Sequence, residues 1–288
     1  MASTREIRRR IRGVKNIKQV TRAMNMIAAA RLRRAEAKAE SARPYAERLS
    51  EILQDVQASA KGARHPLLAR REVRRIGLVL VSSDRGLCGG FNANIFREAS
   101  RFLHAQTAAV GLITVGRKGR DYFLSRGVPV DRHFSQPSRE VSLEELGAVS
   151  KPVIADYVAG RYDRIVLLYA RFINVMKSVP SIRELLPLAE PPGQPERRPP
   201  AAYQFEPDAG SLLDTLLPQY IEVLIYGALV ESVASEQAAR MVAMKAATDS
   251  ASDMIDGLTR RYNRLRQDSI TTQLLEVAAG AEALKQEE

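Results

Sequence analysis

The chain of 288 residues holds one cysteine, Cys88. A single thiol excludes an internal disulfide and any cysteine-built metal centre. Tryptophan is absent and aromatic residues make up only 6%. Histidine occurs three times, at His65, His104 and His133, scattered without the spacing a metal site needs. No apolar run approaches the ~18 residues that read as a membrane span. The N-terminus lacks the apolar core of a secretory signal. Its Arg-rich, amphipathic composition would suit a transit peptide, but its periodicity continues to residue 40, so it reads as part of the fold. Acidic residues are also short: 33 against 44 Lys and Arg, a net charge of +11. The excess lies at the start, where residues 1–40 carry nine Arg and three Lys against three Glu. An acidic partner follows: nucleic acid, an anionic membrane surface or an acidic protein face.

Proline is missing after Pro218, and the only glycines beyond it are Gly227, Gly257 and Gly280. The remaining Ala, Leu, Met, Arg, Lys, Glu and Gln favour one long helix from Gln219 to Glu288. At ~1.5 Å per residue it would run to roughly 100 Å, so it must pair along its length or project. Ile221, Leu224 or Ile225, Ala228, Val233, Ala239, Val242 and Ala246, then Ile255, Leu258, Tyr262 and Leu265, form a narrow seam. After a skip the stripe resumes as Ile270, Leu274, Val277, Ala281 and Leu284. Residues 1–60 supply the partner, with Ile7, Ile11, Val14, Val20 or Thr21, Met24 and Ile27 between basic residues. Ser3 and Glu6 have capping-box spacing, and Pro44 should kink the helix or restart it at Tyr45.

Between the two ends the pattern changes to α/β. Ile76–Val81, Val110–Val115, Val128–Phe134 and Arg164–Ala170 read as strands, with Phe172–Met176 extending the last. Helices are expected from about Asn92 to Gln106, to about Ser125, and over Leu143–Ala159, where Pro152 should kink or break the helix. Alternation of this kind predicts a small parallel sheet covered by helices. Residues 187–210 read as a linker, because the stretch from Pro191 to Pro200 cannot form a regular element.

Chemistry is hard to place on this chain. Gly86, Gly89 and Gly90 follow a strand as in a phosphate-binding turn, but their spacing is not the dinucleotide fingerprint. Gly111 and Gly116 have P-loop spacing, yet Arg117-Lys118 replaces the required Lys-Ser/Thr and a strand lies between them. A tight turn packing strand on helix explains both glycine groups. Cys88 has no neighbouring histidine, and Ser82 and Ser83 sit in no nucleophile elbow. No catalytic constellation, cofactor site or metal site is expected. For nucleic acid, the basic N-terminal segment has no aromatic residue before Tyr45 and no zinc or zipper order.

Four motifs in order carry a family resemblance over nearly the whole chain. They are Arg5-Glu6-Ile7-Arg8-Arg9-Arg10-Ile11 with Ala23-Met24-Asn25-Met26-Ile27-Ala28-Ala29-Ala30-Arg31-Leu32, then Ser83-Asp84-Arg85-Gly86-Leu87-Cys88-Gly89-Gly90-Phe91-Asn92. The third runs from Glu236-Gln237-Ala238-Ala239-Arg240 to Thr248-Asp249, and the fourth is Arg266-Gln267-Asp268-Ser269-Ile270-Thr271 followed by Glu276 and Gly280-Ala281. The sequence resembles the gamma subunit of the F-type, proton-translocating ATP synthase, in its bacterial form. It lacks the cysteine-containing insert of chloroplast members. Gln273 stands where that family usually carries Glu.

The resemblance implies an α/β fold with a long antiparallel two-helix coiled coil, the terminal helices pairing and a Rossmann-like small parallel sheet domain between them. Residues 1–60 and 211–288 would form a coiled-coil shaft, 72–186 a globular foot and 187–210 a proline-rich linker. The implied function is that of a non-catalytic rotor shaft coupling proton flow to ATP synthesis or hydrolysis. Implied partners are the alpha and beta subunits, the epsilon subunit and the c-subunit ring, at the cytoplasmic side of the bacterial cell membrane. Met24, Arg240, Arg266, Gln267, Thr271 and Gln273 are the implied beta-subunit contacts. Ile270, Leu274, Leu275, Val277 and Leu284 would form an apolar bearing at the tip. The alternative from composition is a basic coiled-coil protein that binds nucleic acid.

Overall fold

A computed structural model describes residues 4–59, 65–136, 143–188 and 209–286. It falls into two units, Met1–Ile27 with Met241–Glu288, and Ala28–Arg240. The long helices α1 (Thr4–Ser59) and α5 (Ala209–Gln286) contribute residues to both.

The larger unit is built on β1 (Arg75–Val81), whose apolar run is buried on both faces. After it come α2 (Phe91–Ala105), β2 (Ala109–Val115), α3 (Arg117–Leu124), β3 (Val130–Phe134), α4 (Leu143–Val158), β4 (Arg164–Asn174) and β5 (Lys177–Leu186). The sheet order is β3-β2-β1-β4-β5. Strands β1 to β4 are parallel, and β5 pairs antiparallel with β4. The chain winds outward from β1 to β3, then returns to the other side of β1. Right-handed crossovers then require helices on opposite faces for the two directions. Accordingly Leu78 and Leu80 of β1 pack with Ile95, Phe96 and Phe123 from α2 and α3. Val79 and Val81 point the other way, into a core with α4 and with Leu49, Leu53 and Val56 of α1. Leu213, Leu217, Ile221, Ile225 and Leu229 of α5 belong to that second core.

Several sequence expectations need correction. The sheet is mixed rather than all parallel, because β5, which the sequence does not announce, runs antiparallel to β4 at the edge. Its sequence holds Pro180 and no continuous apolar run, which an edge strand tolerates. The prolines do not interrupt their helices: Pro44, Pro152 and Pro218 lie inside α1, α4 and α5. Pro44 is exposed, so the carbonyl it leaves unpaired can meet water, while buried Leu32 and Ala35 before it and Leu49 and Leu53 after it hold the helix. Finally, although no uninterrupted apolar run approaches membrane length, α5 contains a stretch long and apolar enough by mean composition to cross one. The core positions from Leu213 to Val230 account for that apolar character. Residues 211–240 of α5, assigned from sequence to the coil, thus pack within the larger unit.

At the N-terminal edge of the sheet the charges are paired. Arg132 grips Asp156 through two bonds of 2.7 and 2.9 Å, with Arg161 at 3.4 Å. The hydrogen bonds from Arg132 hold the Asp156 carboxyl below its usual range, against the opposing effect of burial. Tyr162 donates to Asp131 at 2.7 Å, and its ring occupies space that side chains at Gly77 and Gly111 would fill.

In the smaller unit α1 and α5 form an antiparallel pair. As the α1 partner moves up from Arg8 to Thr21 to Asn25, the α5 partner moves down from Tyr262 to Thr248 to Met241. The less exposed positions on α1 are Thr4, Ile7, Ile11, Val14, Lys18, Thr21 and Asn25, with Met24 beside them. On α5 they include Met244, Thr248, Ala251, Ile255, Leu258, Tyr262 and Leu265. Steps of three and four alternate on both, which is the heptad of a coiled coil. Of the sequence alternatives Val20 or Thr21, Thr21 lies in the seam and Val20 is exposed, while Ile27, also offered from sequence, is exposed, as are Ile17 and Met26. Likewise Ala246 is exposed, and Met244 takes its place in the seam.

Candidate functional site

A doubly wound sheet keeps its ligand crevice at the carboxyl ends of the strands, where the strand order reverses. Here that point lies between β1 and β4, at the turn Ser82–Gly90. Local chemistry fixes this turn. Ser82 Oγ donates toward the carbonyls of Val115 and Gly116 and accepts from Gly119 N–H at 2.9 Å. A Cβ on Gly116, at φ 103°, would lie 2.1 Å from the Ser82 carbonyl, so glycine is required there. Ser83 and Asn92 bond each other twice, with Asn92 Nδ2 donating to Ser83 Oγ at 2.7 Å. Leu87 takes a left-handed φ of 62° and stays exposed.

The crevice is occupied by α5. Ser235 Oγ donates to the Ala170 carbonyl at 3.1 Å. Arg240 reaches the Gly86 carbonyl at 3.2 Å and pairs with Glu236 at 2.6 Å. Glu236 accepts from Gln136 Nε2 at 2.7 Å, and Gln136 Oε1 accepts the Asp84 N–H at 3.2 Å. Asp84 in turn accepts the Arg117 N–H at 2.7 Å, at the start of α3. A cation from the chain itself thus binds the glycine-rich turn through the Gly86 carbonyl, and the turn serves packing. Burial, then the nearby Glu236, pushes the Cys88 thiol up from its usual range, so it is a poor nucleophile. Among the described residues no group of His, Cys, Asp and Glu could hold a metal.

The implied contact residues separate into three settings. Arg240 is only 8% exposed, and its guanidinium is committed within the chain. Met24 is half-buried beside the α1 seam. Arg266, Gln267, Thr271 and Gln273 are exposed, together with every other described side chain from Arg266 to Ala279. The antiparallel register explains this. Tyr262 already meets Arg8, so the following α5 residues run past the described start of α1. Ile270, Leu274, Leu275 and Val277 lie on this overhang, 47–72% exposed. The Leu284 side chain lies outside the described residues. Sequence reasoning missed Gln136 altogether. Its only signal is a polar residue two positions past β3.

Comparison with known proteins agrees with this arrangement. A family model described as ATP synthase matches residues 3–284. The ATP synthase gamma chain of Pelotomaculum thermopropionicum is 44% identical over 99% of this chain and all of its own length. That of Geobacter metallireducens is also 44% identical, with the same coverage. Among solved structures, the central stalk and c-ring of Tetrahymena thermophila mitochondrial ATP synthase includes a chain 28% identical, with a TM-score of 0.60 over 79% of this chain and 99% of that one. A chain of Euglena gracilis mitochondrial ATP synthase shares the fold at a TM-score of 0.71, with 17% identity over 98% of this chain and 94% of its own. With a family model over residues 3–284 and full-length kinship of this order, the chain belongs to the ATP synthase gamma chain family.

Proposed function

We propose that this chain is the central rotor shaft of an F-type ATP synthase, a non-catalytic subunit coupling proton flow to ATP synthesis and hydrolysis. The observation that supports it most is the overhang of α5, which exposes Ile270, Leu274, Leu275 and Val277 on a single helix. Uncharged side chains there can turn inside an apolar sleeve without the cost of desolvating charge. Arg266, Gln267, Thr271 and Gln273 add a polar patch able to make directional bonds to beta-subunit loops. Met24 is a further contact on α1, and Arg240 acts from inside the larger unit. Alpha and beta subunits surround the coil, while the epsilon subunit and c-ring hold the foot. The complex places the chain at the cytoplasmic side of the bacterial membrane as a peripheral component. The comparisons bring nothing in favour of nucleic acid.

The test is Arg266→Ala with Gln267→Ala in the purified complex. Bonds to charged groups contribute roughly 1.5–3 kcal/mol, so ATP hydrolysis and synthesis should fall about tenfold while subunit content stays at wild type. Unchanged rates in an intact double variant would show that torque passes through bulk packing instead.

A further inference from the structure

The way α5 is held changes along its length. From Leu213 to Leu229, large apolar side chains lock it into the core beneath the sheet. Between Ser232 and Ala238 the buried residues are Ser232, Ala234, Ser235, Glu236, Gln237 and Ala238, and none is a large apolar knob. Apolar contact is non-directional, and small side chains give it little purchase. Ser232 Oγ and Gln237 Oε1 find no partner among the described residues, so the side-chain hydrogen bonds that hold this segment to the sheet are those of Ser235, to the Ala170 carbonyl, and of Glu236, from Gln136. Among the described residues, the Gln136 amide joins its own segment, two residues past β3, to the Asp84 backbone and the Glu236 carboxylate. Gln136 is buried, as are Glu236 and Arg240.

We propose that Gln136 is a positioning residue that, through Glu236 and Arg240, fixes the rotation of α5 about its own axis on the sheet. The proposal rests on the rotor reading above. A torque carried by α5 would otherwise roll the helix in its bed over these small residues instead of turning the body. The amide is suited to the task. Its donor end serves the carboxylate and its acceptor end the Asp84 N–H, so neither leucine nor glutamate can replace it. In the Gln136→Glu variant a second buried carboxylate would face Glu236, and Gln136→Leu would leave both partners short of a bond. Exchanging the two side chains, Gln136→Glu with Glu236→Gln, keeps one amide and one carboxylate across the same gap.

The experiment uses the whole complex in sealed vesicles, reading interior acidification per ATP hydrolysed. Gln136→Leu and Gln136→Glu should each lower that ratio about tenfold, with hydrolysis itself within about twofold of wild type. The exchanged pair should bring the ratio back to within about twofold. In the free full-length chain, amide exchange should speed up over residues 232–240 in the single variants and stay slow over 213–230. A wild-type ratio in the single variants, no recovery in the exchanged pair, or unaltered exchange over 232–240 each overturns the proposal. A complex lacking the chain that still acidifies the vesicles overturns the rotor reading itself, which separates the two failures.

Discussion

The sheet body and the coiled coil bury their apolar residues in opposite ways. In the body, Leu78, Val79, Leu112, Val166 and Leu167 are wholly inaccessible, and the sheet is covered by helices on both faces. In the coil a single seam is covered, while Ile17, Val20, Met26 and Ile27 on α1 and Ile270, Leu274, Leu275 and Val277 on α5 face outward. The body's core is closed by its own chain. The coil is half an interface, stabilised along one stripe and offering the others. The difference also governs polar groups. The body commits its buried charges to one another, as in Arg132–Asp156 and Arg240–Glu236. The coil places Lys18, Thr21 and Asn25 in the seam itself, a choice that fixes register at some expense of stability.

The contrast breaks most readily under core truncation. Leu167→Ala removes a fully buried side chain and should destabilise the free chain by about 2–5 kcal/mol in urea titration. Ile17→Ala in the coil should change it by no more than about 0.5 kcal/mol. Equal losses at the two sites would mean that the coil's outer stripe is covered by the chain itself.

Charge tests the second half of the comparison. Asp156→Asn strips Arg132 and Arg161 of their partner, and with Arg132 partly exposed the loss should be about 2 kcal/mol at neutral pH. The Asp156 carboxyl is held below its ordinary range in the folded state. Its contribution is therefore present above the unfolded value and lost as pH falls through the folded one. Stability curves of variant and wild type should accordingly converge in acid. Parallel curves down to low pH would assign the effect to packing.

The smallest effect has the opposite sign. Glu231 on α5 accepts a bond from the Phe172 backbone, but its Oε2 has no partner among the described residues. Burial raises its pKa, opposed by Arg183, Arg171 and Arg43. A raised carboxyl penalises the folded state while ionised, and the penalty disappears as pH falls through the folded value. Glu231→Gln should raise the thermal midpoint slightly at neutral pH and leave it unchanged in acid. A lower midpoint at neutral pH would show that its three arginines outweigh the desolvation.

Much of this architecture was legible because local rules decide it. The β1 run, the alternation of strand and helix and the long proline-free tail each follow from a few residues. The strand β5 was not legible, since an edge strand needs neither an apolar run nor freedom from proline. The seam was half legible. Spacing allows Val20 or Thr21 and points to Ile27, yet the rotation of α1 puts Thr21 and Asn25 inside, and only the partner helix selects between two stripes on one cylinder. Arg240 was visible as a motif residue, but its burial depends on Gln136 and Gly86, about a hundred residues and more away in sequence. Contacts of that range leave no periodicity to read.

The strict alternation of three and four along the coil has a mechanical consequence. A seven-residue repeat on a helix of 3.6 residues per turn forces the two strands to wrap left-handed. A two-stranded rope is not equally stiff in both senses of twist. Turning with its lay draws the strands together, and turning against it opens them. A rotor that is driven one way in synthesis and the other in hydrolysis would thus be loaded through a tightening rope in one direction and a loosening one in the other. The two turns of Lys18, Thr21 and Asn25, poor in apolar grip and held by bonds to Thr248 and Met241, are where the rope depends most on the strands keeping their spacing.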